Sequence, residues 1–353
     1  MVARLQRNEN FFAQRGGDAN AAEKVRRAYQ RCAESGTLNL SNQKLSGMLP
    51  EAVCGFQEES WAEKWWEQCP VTKLDVSMNA LEQIPPSIGR LVECEVFLAS
   101  SNQLTEVPRE LGALPLKQLN LRSNALTALP LELGQLCSLV ELILSENRLR
   151  ELPAEVMELE TLEVLDLGSN HLTALPGLRP WRCRLLRLDV SQNRLALLPD
   201  ALCCERLREL SAARNQLRSV QLLDGERWKS LVSVDLSGNQ LRELRLSNLR
   251  TLDSLIVSGN GLILLELHGD FPHLTVLMAE SNKLRALPEG IPSRVPRLAT
   301  LDFSNNDLTQ LPPELGLLGR PLVTGDCNRL VSRHRRFQSR SGVRNHLAWN
   351  WLL

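Results

Sequence analysis

The chain is short of aromatic side chains. They make up 4% of 353 residues, and there is one tyrosine. It has no net charge, because 41 basic residues balance 41 acidic ones. That balance gives no general reason to expect nucleic acid or an anionic membrane as the main partner. No uninterrupted apolar run approaches bilayer length, and "MVARLQRNENFFAQRGG" has charges throughout and no apolar stretch of the kind an export signal needs. The C-terminal "NWLL" does not fit a prenylation signal. Nine cysteines are too irregular for a disulfide framework: the number is odd, Cys203 and Cys204 are adjacent, and no pair of Cys-x-x-Cys knuckles occurs. Reduced thiols in a cytosolic protein, with a nuclear one as the alternative, are the expectation. The sequence also lacks a phosphate-binding loop, a strand followed by G-x-G-x-x-G, an H-E-x-x-H pair and a G-x-S-x-G elbow. Its histidines are His171, His268, His273, His334 and His346. His171, with Asp166 and Asp189 on nearby strands, imitates an acid/base group, but no nucleophile is placed beside it. No catalysis, cofactor or metal is expected.

What the chain has is repetition. "LNLRSNAL" (119–126), "LILSENRL" (142–149), "LDLGSNHL" (165–172) and "LDVSQNRL" (188–195) share the pattern L-x-L-x-x-N-x-L. The asparagine recurs at Asn79, Asn102, Asn124, Asn147, Asn170, Asn193, Asn215, Asn239, Asn260, Asn282 and Asn306, at steps of 21 to 24 residues. "LNLSNQKL" (38–45) opens the series with Gln43 in the asparagine place. Alternating leucines point to one side of a short strand. One coil of about 22 residues cannot bury that side, but stacked coils bury it continuously. The strands then form a parallel sheet. In "ALPLELGQLCSL", Leu129, Leu133, Leu136 and Leu139 also face inward, Pro130 restricts the backbone where the chain leaves the strand, and Gly134 permits a tight turn. A recurrent buried asparagine donates and accepts at once, so it can satisfy backbone groups of its own and the adjacent coil.

On these motifs the chain resembles leucine-rich-repeat proteins over nearly its whole length. The "LP-x-x-L-x-x-L" segment is similar to the intracellular subclass of Ras-suppressor and Shoc-type scaffolds. "GTLNLSNQKLSGMLP", followed after an insertion by "WWEQCPVTKLDVSMNAL", resembles the start of leucine-rich-repeat-containing protein 40 and its relatives, although this chain has fewer repeats. That resemblance implies an intracellular interaction protein without a defined activity. Three coils depart from the pattern. "SVQLLDGERWKSL", "ELRLSNLRTL" and "LLELHGDFPHL" lack the LP dipeptide, which predicts a reshaped outer side between 218 and 274.

The expected fold is α/β: a right-handed leucine-rich-repeat solenoid of about 12 repeats, with the parallel sheet on its concave face and helical caps at both ends. Residues 1–37 form an N-terminal arm and capping helix, in which Asp18 can N-cap, Ala22, Val25, Tyr29 and Cys32 lie along one stripe, and Gly36 closes. Residues 38–326 carry the repeats. The step from Gln43 to Asn79 is 36 residues and holds a Trp-rich helical insertion at about 54–70, in which Ser60 and Glu63 form a capping box. Trp61 and Trp65 share a face that can pack on the neighbouring coil, while Trp66 is a candidate partner contact. Residues 327–353 form a basic cap. Its Arg329, Arg333, Arg335 and Arg336 either bind an anion such as nucleic acid or only complement carboxylates elsewhere.

Partner binding is expected on the concave strand face. Between the strand leucines the residue runs Asn39, Asp75, Leu98, Asn120, Ile143, Asp166, Asp189, Ser211, Asp235, Ile256, Met278 and Asp302, and two places later a column is rich in serine. Glu141, Glu146, Asp166, Arg187, Asp189, Glu209 and Arg214 form a charged zone; Ile256 and Met278, with Val276, form an apolar spot. Asp166→Arg with Asp189→Arg is expected to abolish partner capture without changing the melting temperature. The function this supports is an intracellular protein-interaction scaffold. Its alternatives are a regulatory subunit docking on a phosphatase or small GTPase, and a nucleic-acid-associated factor working through the C-terminal arginines.

Overall fold

The computed structural model describes residues 36–54, 70–176, 184–199, 205–220, 223–309, 311, 312, 315 and 322–324, together with 24, 25, 27, 28, 31, 32 and 35. The Trp-rich insertion with Trp61, Trp65 and Trp66 lies outside the described residues, as do Arg329, Arg333, Arg335, Arg336 and the C-terminal cap. The chain divides into two compact units, 1–184 and 185–353.

The first unit contains β1 (Thr37–Asn39), β2 (Ser46–Met48), β3 (Lys73–Asp75), β4 (Ala80–Gln83), β5 (Val96–Leu98), β6 (Gln118–Asn120), β7 (Glu141–Ile143) and β8 (Val164–Asp166). β1, β3, β5, β6, β7 and β8 lie side by side in one parallel sheet, and β2 pairs with β4. Each strand of the large sheet is three residues long with its middle residue buried: Leu38, Leu74, Phe97, Leu119, Leu142 and Leu165. Full burial of one such side chain contributes roughly 1.5–3 kcal/mol, and the repeat supplies it once per strand.

Opposite the sheet, prolines that follow an apolar residue (Ile84, Val107, Leu129 and Leu152) act as punctuation. Pro85, Pro108, Pro130 and Pro153 sit at φ of −57 to −70° and launch the 3₁₀ turns Pro86–Arg90, Arg109–Ala113, Leu131–Gln135 and Ala154–Glu158. Each turn buries an apolar residue: Ile88, Leu111, Leu133 and Val156. Leu129, Leu136 and Leu139 are buried with them. Gly134 is required for a different reason from the one expected. It does not adopt a left-handed conformation. A Cβ there would run into the side-chain and backbone carbons of Glu155 in the next coil, and Gly112 stands in the same relation to Glu132.

The second unit contains β9 (Arg187–Asp189), β10 (Glu209–Ser211), β11 (Leu223–Asp224), β12 (Ser233–Asp235), β13 (Glu243–Ser247), β14 (Ser254–Ile256), β15 (Leu264–His268), β16 (Val276–Met278), β17 (Thr300–Asp302) and β18 (Leu322–Thr324). β9, β10, β12, β14, β16, β17 and β18 form its parallel sheet. The outer side is reshaped where the LP dipeptide is missing: β11, β13 and β15 pair in parallel as a second sheet. The reason is local. Proline cannot donate to a ladder. Without it the alternation of "ELRLS" and "LLELH" buries Leu244, Leu246, Leu265 and Leu267 on one side of a strand.

Before β1, the described helical residues bury Val25, Ala28 and Cys32. Ala22 and Tyr29 of the expected stripe are outside the described residues. Gly36 adopts φ +65° and its N–H donates to the Cys32 carbonyl at 2.9 Å, as a helix-closing glycine does. No helix among the described residues is long and apolar enough to cross a membrane.

Candidate partner-binding face

The strand face rests on a ladder of buried amides. Asn170 is representative. Its Oδ1 accepts the Leu149 N–H at 3.0 Å, and its Nδ2 donates to the carbonyls of Leu144 and Leu167 at 3.0 Å and of Gly168 at 3.3 Å. The Leu144 carbonyl also accepts from Asn147 at 2.9 Å. Consecutive asparagines therefore share carbonyls, and the sharing recurs at Val76, Ala99 and Leu121. In the second unit it recurs at Val190, Ala212, Leu236, Val257 and Ala279. The residue just before each ladder position is left-handed, from Asn42, Met78 and Ser101 to Ser281 and Asn305, at φ of 53 to 65°. Glu146 and Arg214 are two of these. The glycines Gly238 and Gly259 in that column were a sequence signal for this conformation.

The seven charged candidates divide between the units. In the first, the Glu141 carboxylate accepts from Gln118 Nε2 at 2.9 Å. Glu146 pairs with Arg122 at 2.5 Å and accepts the Ser123 hydroxyl. The Ser123 hydroxyl and then Arg122 hold its carboxyl below the ordinary carboxylate range. Asp166 accepts the Gly168 N–H at 3.0 Å on one oxygen and the Ser145 hydroxyl at 2.8 Å on the other. In the second unit, Arg187 and Glu209 are register neighbours and pair at 3.5 Å. Both side chains are more than half exposed, so the pair contributes little to stability. Asp189 accepts the Ser191 N–H at 2.8 Å, and Arg214 is exposed. Ile256 and Met278 are half-buried register neighbours.

The bond made by Asp166 and Asp189 is general, and sequence reading missed it. Asn39, Asp75, Asn120, Asp235 and Asp302 also accept the N–H two residues on, at 2.9–3.0 Å. An Asx side chain closing its own turn is a recognised device, and the recurrent Asp/Asn-x-Ser was its signal. Replacing Asp166 and Asp189 by arginine removes both acceptors. These bonds argue against an unchanged melting temperature: such a variant should lose stability, whereas Asp→Asn keeps the bond.

Ser258 has a buried hydroxyl without a hydrogen-bond partner among the described residues. Ala213 fills the same column position two coils earlier in the sheet and is buried. Ser258→Ala should therefore be neutral or raise the denaturation midpoint slightly, because an unpaired buried hydroxyl costs about 1–3 kcal/mol. A fall of the midpoint in urea would show that the hydroxyl is used.

Cys32 is buried, Cys54 and Cys94 are free and buried, and Cys137 is free and exposed. Burial pushes the Cys54 and Cys94 thiols up to about 11, which makes them poor nucleophiles. Among the described residues no three His, Cys, Asp or Glu side chains come together as a metal-ligand set. His171 is exposed.

Comparison with known proteins agrees with this geometry. The family described as Leucine Rich Repeat matches residues 297–318. No curated protein matches the chain. Among solved structures, a leucine-rich-repeat protein of Leptospira interrogans is similar at 27% identity and TM-score 0.52, covering 87% of this chain and 94% of that one. YopM from Yersinia enterocolitica is similar at 26% identity and TM-score 0.51, covering 88% and 68%. The plant peptide hormone receptor RGFR1, solved in complex with RGF2, is similar at 25% identity and TM-score 0.63; the match covers 81% of this chain and 46% of the receptor. The fold and its strand face are those of a leucine-rich-repeat protein. Solenoids of this kind are generally non-catalytic binding domains.

Proposed function

We propose that this protein is an intracellular interaction scaffold that holds a partner protein on its strand face. One observation carries the reading. In both units the inward positions of the sheet are filled by the same few apolar residues, while the outward positions beside them are half-exposed or exposed and change chemistry from strand to strand. The buried leucines and the amide ladder meet the needs of the fold, so most outward identities are free to serve a ligand. The similarity to RGFR1, a peptide hormone receptor solved in complex with RGF2, supports a fold of this kind as a binder of polypeptide. The free cysteines among the described residues support a reducing compartment, cytoplasm or nucleus, as does the resemblance to Ras-suppressor and Shoc-type scaffolds and to leucine-rich-repeat-containing protein 40.

The test is proximity labelling in cells with three forms of the chain. A strand-face variant carries Glu141→Gln, Asp166→Asn, Arg187→Gln and Glu209→Gln, which keep the turn-closing acceptors. An outer-side variant carries Glu132→Gln and Glu155→Gln. A set of labelled proteins lost by the first variant and kept by the second supports the reading. Identical sets from all three forms would remove it.

A further inference from the structure

Register places four outward side chains of the second unit in one row. Asp235 on β12 is opposite Ile256 on β14, Ile256 is opposite Met278 on β16, and Met278 is opposite Asp302 on β17. All four are half-buried. Two apolar side chains are thus flanked on both sides by a carboxylate, and Glu280 adds a third acid two residues beyond Met278. The Glu280 carboxylate has no ion-pair partner among the described residues. On β12, β14, β16 and β17 no lysine or arginine occupies an outward strand position: these read Ser233, Asp235, Ser254, Ile256, Val276, Met278, Thr300 and Asp302. The chain as a whole is neutral, so this single sign is a property of the patch.

The spacing specifies a ligand. Adjacent strands lie about 4.8 Å apart, so the two flanking aspartates are separated by roughly 14 Å across three strand steps. An extended polypeptide advances about 3.3 Å per residue, so four residues span roughly 13 Å, and residues i, i+2 and i+4 point to one side. We infer that the row Asp235–Ile256–Met278–Asp302 receives an extended protein segment of the form base-x-apolar-x-base, lying across the strands. The central apolar side chain rests on Ile256 and Met278, and the two cationic side chains reach Asp235 and Asp302. Cation-to-carboxylate pairing at the ends and desolvation of an apolar anchor in the middle is the usual division of labour in such recognition. The assignment rests on the strand face being the partner surface and adds which chemistry it selects.

Display selection of randomised nine-residue segments against the immobilised full-length chain tests it. Enriched clones should carry Arg or Lys at i and i+4 around Leu, Ile, Met or Phe at i+2. The triple variant Asp235→Asn, Glu280→Gln, Asp302→Asn should retain at least ten-fold less of these clones. It keeps both turn-closing acceptors, since Asn39 and Asn120 make the same bond, and its denaturation midpoint should match that of the parent. Ile256→Ser with Met278→Ser should lose the same clones. Enriched clones without the basic pair, or clones held equally by the triple variant, would overturn the inference. If such clones still depend on Ile256 and Met278, the strand face stands as a partner surface and only its charge preference is wrong. Clones indifferent to both variants, or no enrichment over a blank matrix, would overturn both readings.

Discussion

Asn170→Asp should be the most damaging single-atom exchange in the ladder, costing about 3–5 kcal/mol at neutral pH, the range for an uncompensated buried charge. Asn170 is 4% exposed. The aspartate keeps an oxygen for the Leu149 N–H but turns its second oxygen toward the carbonyls of Leu144, Leu167 and Gly168, which now accept from Nδ2. Four oxygens then crowd one place with no proton among them. Asn170→Ala should cost less, about 1–3 kcal/mol. The Leu144 carbonyl keeps its bond from Asn147, so the chief loss is the orphaned Leu149 N–H. The two variants should also differ in pH dependence. Burial among carbonyls raises the folded-state pKa of the new carboxyl above its unfolded value of about 3.9. Between the two values the native state binds more protons than the unfolded state, so the variant's stability falls as pH rises through the folded value and recovers as pH drops below it. Urea titrations of both variants at pH 7.5 and 5.0 check this. The deficit of Asn170→Asp should narrow at the lower pH relative to parent, and that of Asn170→Ala should not. Gln43→Ala, at the exposed first rung, should be close to neutral. Equal stability of Asn170→Asp and parent at pH 7.5 would remove the ladder from the account of this fold.

Gly112→Ala should cost about 3 kcal/mol, the upper end for overpacking a filled site. The added methyl meets the backbone carbonyl of Glu132 in the next coil, and a backbone atom cannot swing aside as a side-chain tip can. The 3₁₀ turns Arg109–Ala113 and Leu131–Gln135 would have to separate. Gly261→Ala is the control. Its nearest neighbour to an added Cβ is the Leu241 carbonyl at 3.5 Å, ordinary contact, and its φ is not left-handed. That variant should be neutral or stabilised by up to about 1 kcal/mol through the unfolded chain. Equal midpoints for the two alanine variants in urea would show that coil stacking is looser than the geometry demands.

The repeat was legible because its two strictest requirements are written in residue type. A three-residue strand must bury its middle side chain, so Leu38, Leu74 and Leu119 declare the strands. A buried polar post must donate and accept, so asparagine recurs at one spacing. The reshaped outer side was legible too, from the missing prolines at 218–274. The candidate site was less legible. Asp166 and Asp189 looked like surface charge and proved to be turn closures, because the N–H they accept lies two residues away on a backbone whose curvature no composition reveals. Ser258 looked like ordinary floor and holds a hydroxyl that is unpaired among the described residues. Gly134 read as a turn residue and proved to be a point of close approach to Glu155 of the next coil.

By itself, the order of residues determined that this polypeptide coils, which side chains enter the coil, and which amides hold one coil to the next. These follow from local periodicity and from the demand that buried polar groups be paired. Only the tertiary structure decided which residues of different coils become neighbours. The alignment of Asp235, Ile256, Met278 and Asp302 depends on strand register, and register is set by the stacking of whole coils whose lengths vary from one to the next.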